Sequence, residues 1–232
     1  MLRSAATRRV SKHEAAPSFE TSAFRALLRM RVVHGCGHRS NTMTDPIKPQ
    51  SAQDVEAAVQ AALADGRTLE TVGHGSKRAI GRAAQWDGTL DLSALAGITL
   101  YEPAELVLSA KAGTSLAEIE AQVAANNQQL AFEPMDFAPL LGTEPGRGTL
   151  GGMLAANLAG PRRIKAGAAR DHMLGFSGVS GRGETFKSGG RVVKNVTGYD
   201  LSKLMAGSWG TLTVMTDATI KVLPRPEAQE SL

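Results

Sequence analysis

The sequence has few of the residues on which several classes of protein depend. It contains one cysteine in 232 residues, which excludes an intramolecular disulfide framework and is typical of a reducing compartment. Aromatic residues make up only 4%, too few for the stacking platforms that bind single-stranded nucleic acid. No run approaches the roughly 20 consecutive apolar residues of a membrane span. Glycine is abundant, with 25 residues, so we expect ligand binding through close approach of the backbone rather than through aromatic stacking.

Acidic and basic residues are unevenly distributed along the chain. The net charge is +4, but residues 1–42 hold eight basic and two acidic residues and carry +6, whereas residues 43–232 carry −2. A slightly acidic body lacks the cationic surface of a nucleic-acid-binding protein, and we expect no nucleic-acid partner. The densest basic run, residues 162–165, is a short loop that could face solvent or a partner protein.

Residues 1–42 form a leader rich in Arg, Ser and Ala. Its composition resembles an organelle transit peptide and lacks the apolar run of a secretory signal. Two alternatives are that Met43 is the true start and that the leader is a disordered tail. His34, Cys36 and His38 are potential metal ligands, but the glycines between them give no rigid face and no fourth ligand is near in sequence. We therefore predict no metal site.

The remaining residues show helix and strand patterns that place the glycine-rich loops. Ser51–Asp54 and Ser115–Glu118 have the spacing of capping boxes, so each predicts the start of a helix. A hairpin with its tip at 181–183 and a short helix at 200–206 are expected toward the end. Short strands are predicted at 68–72, 90–92, 98–100 and 106–110, with two apolar strands at 212–215 and 218–223.

The first glycine-rich segment is Gly73-His74-Gly75-Ser76-Lys77, directly after a predicted strand. Its amides could turn toward a phosphate, with a hydroxyl from Ser76 and charge from Lys77 and Arg78. It is not a Rossmann fingerprint, because Arg78 stands where the third glycine is needed, and it is not a P-loop. Taken alone, an ordinary glycine turn explains the segment equally well.

The second segment, Thr149-Leu150-Gly151-Gly152, opens a helix of small residues that continues through Asn157 and ends at Gly160-Pro161. Small side chains let backbone lie flat against a planar or phosphorylated ligand at a helix start. Tight helix packing is the alternative, although each glycine in the first turn costs about 1 kcal/mol relative to alanine.

The order of the motifs is more specific than any one of them. After the two glycine segments come Arg170-Asp171, the run Gly190–Asp200, Gly207–Leu212 and Ile220–Pro226. In this order they resemble the FAD-binding domain of the vanillyl-alcohol oxidase type (PCMH type), over about residues 45–226. The run at 190–200 is most similar to the FAD-binding subunits of bacterial glycolate oxidases.

The resemblance implies an α+β fold of two subdomains with mixed sheets, at about 43–100 and about 101–226, with 227–232 as a tail. Such proteins usually continue into a C-terminal cap domain, which we expect to be absent here. FAD would lie between the subdomains, non-covalently rather than linked to His74, because His74 stands one or two positions from the tethering histidine of relatives. The residues implied at the cofactor are Gly73, His74, Gly75, Ser76, Lys77, Thr149, Leu150, Gly151, Gly152, Asn157, Gly160, Gly210 and Thr211.

The implied reaction is oxidation of glycolate to glyoxylate by hydride transfer to flavin. Electrons would pass to a second FAD subunit and an iron–sulfur subunit, in the cytoplasm or peripheral to the inner membrane through that complex. No catalytic base or carboxylate-binding residue can be assigned, since Arg170, Asp171 and Tyr199 are as readily structural. The alternatives are an oxidase for another 2-hydroxy acid such as D-lactate, or for a sugar, and a truncated fragment without catalysis.

Overall fold

The computed structural model describes residues 45–82, 84–190 and 199–228. The leader, its His34, Cys36 and His38, and most of the run at 190–200 lie outside the described residues. In the part of the chain that is described, no helix is long and apolar enough to cross a membrane.

Helix α1 (Ala52–Ala64) begins at the predicted capping box. Ser51 Oγ accepts a hydrogen bond from Asp54 N at 3.2 Å, and Asp54 Oδ2 accepts one from Ser51 N at 2.9 Å. Both bonds satisfy amides that have no partner inside the helix. This first capping box is confirmed.

Three parallel segments follow one another across the small sheet. Strands β1 (Leu69–Val72) and β2 (Gly88–Asp91) pair in parallel. Ile47 adds an isolated parallel bridge to Leu90, donating to Thr89 O at 2.9 Å. Because all three run in the same direction, their carboxyl ends meet at one edge, where ligands commonly bind in parallel sheets.

The remaining strands build an antiparallel sheet and a short strand pair. In chain order they are β3 (Ile98–Glu102), β4 (Val107–Lys111), β5 (Gln128–Gln129), β6 (Met173–Ser180), β7 (Thr185–Gly189), β8 (Thr213–Lys221) and β9 (Leu223–Pro224). The large sheet has five strands in the order β3-β4-β8-β6-β7, and β5 pairs with β9. The hairpin between β6 and β7 confirms the turn predicted at 181–183.

The prediction of two closing strands at 212–215 and 218–223 is wrong. Strand β8 is a single strand of nine residues that runs through Thr216 and Asp217. Thr216 is buried, and its carbonyl accepts a hydrogen bond from Ala112 N at 2.9 Å. A polar pair that resembles a turn in sequence therefore lies within one continuous strand at the centre of the sheet, where the pairing with β6 shifts register between Met215 and Asp217.

Within the described residues, six α-helices follow α1, and most are short. They are α2 (Leu116–Ala124), α3 (Ala138–Leu141), α4 (Leu150–Ala156), α5 (Arg163–Ala166), α6 (Ala169–His172) and α7 (Leu201–Met205). Helix α2 lies where it was predicted, but its capping box does not form, since Ser115 makes no side-chain cap hydrogen bond. Ser115 is instead bridged to Thr149, and Leu116 N donates to Gly148 O at 3.0 Å.

Two clusters of buried apolar side chains hold these elements together. The larger one packs α2 and α4 against the five-stranded sheet, with Phe132, Leu150 and Met153 fully buried. The smaller one contains residues from α1 and β2 together with Val179 of β6 and Val214 of β8. The second cluster thus attaches the parallel strands to the large sheet, and the α+β fold class is confirmed.

Candidate cofactor site

A cleft of about 320 Å³ opens at the carboxyl edge of the parallel strands. Gly73, His74 and Gly75 reach it from the end of β1, Asp91 from the end of β2, and Lys48 from the segment after the Ile47 bridge. The parallel arrangement is what brings together residues that are far apart in sequence. Gly73, His74 and Gly75 of the first predicted glycine segment therefore line the cleft, whereas Ser76 and Lys77 do not.

Three cationic side chains line this cleft: Lys48, Arg78 and Arg147. Their side chains are each about half exposed, and ion pairs of this kind contribute at most about 1 kcal/mol, so the cations remain available to an anion. Each has one carboxylate partner: Asp91 for Lys48 at 3.9 Å, Glu70 for Arg78, and Glu144 for Arg147 at 3.3 Å.

The structure brings the two glycine segments into direct contact. A Cβ on Gly73 would lie 2.6 Å from Thr149 Oγ1, closer than any side chain permits. Gly75 has φ of +72°, a conformation that favours glycine. Glycine at 73 and at 75 is therefore required by a close approach and by a left-handed turn, respectively.

The backbone after Gly73 presents unpaired hydrogen-bond donors. Among the described residues, no hydrogen bond is donated by the amides of His74, Gly75, Ser76 or Lys77. Consecutive free amides around a left-handed residue form an anion-binding concavity. This segment, beside three cations, fits the pyrophosphate of a dinucleotide.

Lys77 connects the first glycine segment with the start of α4. Its Nζ donates to Ser76 Oγ at 3.1 Å and lies 3.8 Å from the position that a Cβ on Gly152 would occupy. Burial lowers the pKa of Lys77, and the negative charge of Asp136 partly opposes that effect. The ammonium is thus held, partly buried, at the junction of the two segments.

The four residues at the start of α4 divide into two pairs. Thr149 and Gly152 face the first glycine segment, as their distances to Gly73 and Lys77 show. Leu150 is fully buried in the core, and Gly151 N donates to Ala112 O at 2.8 Å. A Cβ on Gly151 would lie 2.8 Å from that of Ala112, so close packing accounts for this glycine.

Asn157 and Gly160 lie beyond the other end of α4 and are not brought to the first glycine segment. Asn157 ends the helix with φ of +50°, and its Oδ1 accepts a hydrogen bond from Arg170 N at 2.9 Å. A Cβ on Gly160 would lie 2.8 Å from that of Glu133. Local structure explains the residue type at both positions, and their contact with the cofactor stays a prediction.

The loop at 207–211 packs on the last turn of α4, where Trp209 N donates to Ala155 O at 2.9 Å. A Cβ on Gly210 would lie 3.6 Å from Thr71 Cβ, so this loop also reaches β1. The hydroxyl of Thr211 donates to a carbonyl of the same turn at 2.6 Å. Gly210 therefore lies near the site, whereas the Thr211 hydroxyl stabilises the turn.

The polar residues considered for catalysis have mostly structural roles. Asp171 Oδ2 accepts a hydrogen bond from Ala168 N at 2.9 Å at the start of α6. The backbone of Arg170 is bound by Asn157, as described above. Tyr199 is 83% exposed. None of these three observations places a base or a carboxylate-binding group at the cleft.

Sequence reasoning missed Lys48, Arg147 and Asp136 at this site. Arg147 stands two residues before Thr149, so the second glycine segment could have indicated it. Lys48 becomes visible only once Ile47 is known to lie beside β2. No local sequence pattern indicated Asp136, because the two amides that it binds, those of Ala138 and Gly146, come together only through the course of the loop.

Comparison with known proteins agrees with this geometry. Residues 46–189 match the family model described as "FAD binding domain". The chain belongs to this family. FAD is accordingly its cofactor, as predicted, and the matched range contains both glycine segments and all three cations of the cleft. The free amides and the cations fit the FAD pyrophosphate.

The chain is similar to subunits of larger oxidoreductases. It is 45% identical over 174 residues to the glycolate oxidase subunit GlcE of Escherichia coli (strain K12), covering 75% of this chain and 47% of that protein. It is 30% identical over 191 residues to a D-lactate dehydrogenase of Anaerostipes hadrus, covering 80% of this chain and 38% of that one. The chain thus spans less than half the length of these relatives. The predicted resemblance to glycolate oxidase subunits is confirmed.

A solved structure supports the same fold. Alkyldihydroxyacetonephosphate synthase matches with a TM-score of 0.62 at 25% identity, over 78% of this chain and 32% of that one.

Proposed function

We propose that the chain is the FAD-binding subunit of a glycolate oxidase complex. The observation that carries the proposal is the contact between the two glycine segments beside a cationic cleft, in a chain 45% identical to a glycolate oxidase subunit. A second FAD subunit and an iron–sulfur subunit would complete the complex. We place it in the cytoplasm or peripheral to the inner membrane.

The amides of residues 74–77 and the Ser76 hydroxyl hold the pyrophosphate in this proposal. Lys48, Arg78 and Arg147 balance its two negative charges, and the absence of a side chain at Gly152 leaves room next to Lys77. His74 lines the cleft without a covalent bond to the flavin. Hydrogen bonds to charged groups are typically worth about 1.5–3 kcal/mol, so each such donor matters measurably for affinity.

Bound FAD supplies the hydride acceptor. Oxidation of glycolate to glyoxylate removes a hydride from carbon 2 and a proton from its hydroxyl group. The role of this chain is to bind and orient the cofactor, while the partner subunits carry the electrons onward.

The first experiment is titration of the purified chain with FAD, followed by anaerobic addition of glycolate. We expect quenching of flavin fluorescence on binding, and bleaching of the visible flavin absorbance by glycolate when the partner subunits are present. Lys77→Met should weaken FAD binding about 10- to 100-fold, the loss of one charge-assisted contact. A protein that stays colourless after FAD is added contradicts the proposal.

A second substrate is favoured by the similarity to a D-lactate dehydrogenase. Bleaching rates with glycolate, D-lactate and an aldonolactone separate the two 2-hydroxy acids from each other and from a sugar. Fastest bleaching with D-lactate would replace glycolate as the substrate. FAD binding with no bleaching by any of them, in the presence of partner subunits, would favour a chain without catalysis.

A further inference from the structure

Asp136 makes two backbone hydrogen bonds that close a loop beside the cleft. Its Oδ1 accepts from Ala138 N at 3.0 Å, and its Oδ2 accepts from Gly146 N at 2.8 Å. The loop between these amides contains α3 and turns at Gly142 and Gly146, both with positive φ. One carboxylate therefore joins the beginning and the end of the loop.

The closed loop determines where Arg147 lies. Arg147 directly follows the amide that Asp136 holds, and it lines the same cleft as Gly73 and Gly75. After Arg147 the backbone is fixed again, because Gly148 O accepts a hydrogen bond from Leu116 N at 3.0 Å. Without Asp136, the backbone on the N-terminal side of Arg147 loses the hydrogen bond from Gly146 N that holds it.

Asp136 also interacts electrostatically with Lys77. Its negative charge raises the pKa of Lys77 against the lowering effect of burial. The other groups around the Lys77 ammonium are neutral, namely the Ser76 hydroxyl and the start of α4 at Thr149 and Gly152. Directly after Lys77, Arg78 brings a further positive charge, which is paired with Glu70.

We propose that Asp136 is a positioning residue of the cofactor site, which fixes Arg147 at the cleft through the loop that its carboxylate closes. This inference rests on the proposal that the cleft binds the FAD pyrophosphate. Asp136 itself is not among the residues that line the cleft. It acts through two cations that come from different segments and that approach the same anion.

The test is FAD affinity, measured by fluorescence titration of the full chain between pH 6 and 10. Asp136→Asn is expected to weaken FAD binding about tenfold at neutral pH. The loss of affinity at alkaline pH should begin at lower pH in this variant, because Lys77 loses the charge that favours its ammonium form. Asp65→Asn is the matched control, since Asp65 is a surface carboxylate paired with Arg67 at 2.8 Å after α1.

A second background separates positioning from a general loss of structure. In the Lys77→Met/Arg147→Met protein, Asp136→Asn should weaken FAD binding less than twofold further. An equal weakening in both backgrounds, or a wild-type affinity and pH profile in Asp136→Asn, overturns the inference. Failure of the wild-type chain to bind FAD would instead refute the proposed function.

Discussion

At the scale of single residues, Gly151 and Gly152 are adjacent and are glycine for different reasons. Gly151→Ala should destabilise the protein by about 2 kcal/mol, because its Cβ would lie 2.8 Å from Ala112 Cβ and 3.0 Å from Ala112 O. Gly152→Ala meets Thr149 Oγ1 at 3.0 Å and Lys77 Nζ at 3.8 Å. Its clash is offset by up to about 1 kcal/mol of helix propensity.

Urea unfolding and FAD titration of both variants distinguish the two roles. We expect Gly151→Ala to lose stability and to keep FAD affinity within about threefold when folded, since its Cβ points into the core. Gly152→Ala should stay within about 1 kcal/mol of the wild-type stability and bind FAD about tenfold more weakly. Equal FAD affinity in Gly152→Ala and the wild type would mean that position 152 does not face the cofactor.

These two glycines also show how far single residues can be predicted from sequence. The first glycine segment was predictable, because a strand followed by Gly-x-Gly-Ser is a local pattern. The assignment of Gly151 to packing was not, since Ala112 lies 39 residues away. Leu150 was expected at the cofactor and is fully buried in the core.

At the scale of elements, the two predicted capping boxes can be compared directly, because they share the same sequence pattern and only one forms its cap. Ser51→Ala should lower stability by about 1 kcal/mol, because it removes the acceptor for Asp54 N. Ser115→Ala should change stability by less than about 0.5 kcal/mol, since Ser115 makes no side-chain cap bond. Chemical denaturation of both variants measures the difference. An equal loss in the two variants would indicate that Ser115 caps α2 in solution.

The same pair explains which elements sequence patterns could predict. Both Ser-x-x-acid patterns correctly predicted a helix, but only one predicted the cap. The backbone at Ser115 is bridged to Thr149, a contact made by the fold and invisible in the local pattern. Likewise, β8 was divided in two at Thr216 and Asp217, because its position between β4 and β6 cannot be read from the strand itself.

At the scale of the whole molecule, the cleft depends on the smaller apolar cluster, which fixes the parallel strands to the large sheet. Val179 is 1% exposed and belongs to β6, far in sequence from the residues that line the cleft. Val179→Ala should therefore lower the free energy of unfolding by about 2 kcal/mol, the cost of a cavity in a closed core. For a domain of this size that is a decrease in Tm of about 5 °C.

If the parallel strands and the large sheet unfold together, FAD should stabilise Val179→Ala and the wild type by the same free energy, and its binding should raise the Tm of both. A ligand that binds only the folded state at 100 times its Kd contributes about 2.7 kcal/mol, so scanning calorimetry with and without FAD resolves the shift. In Lys77→Met the shift should shrink while the Tm of the free protein does not fall, because the cost of burying an ammonium is removed. Two separate transitions in Val179→Ala, only one of them shifted by FAD, would show instead that the cleft unfolds independently of the large sheet.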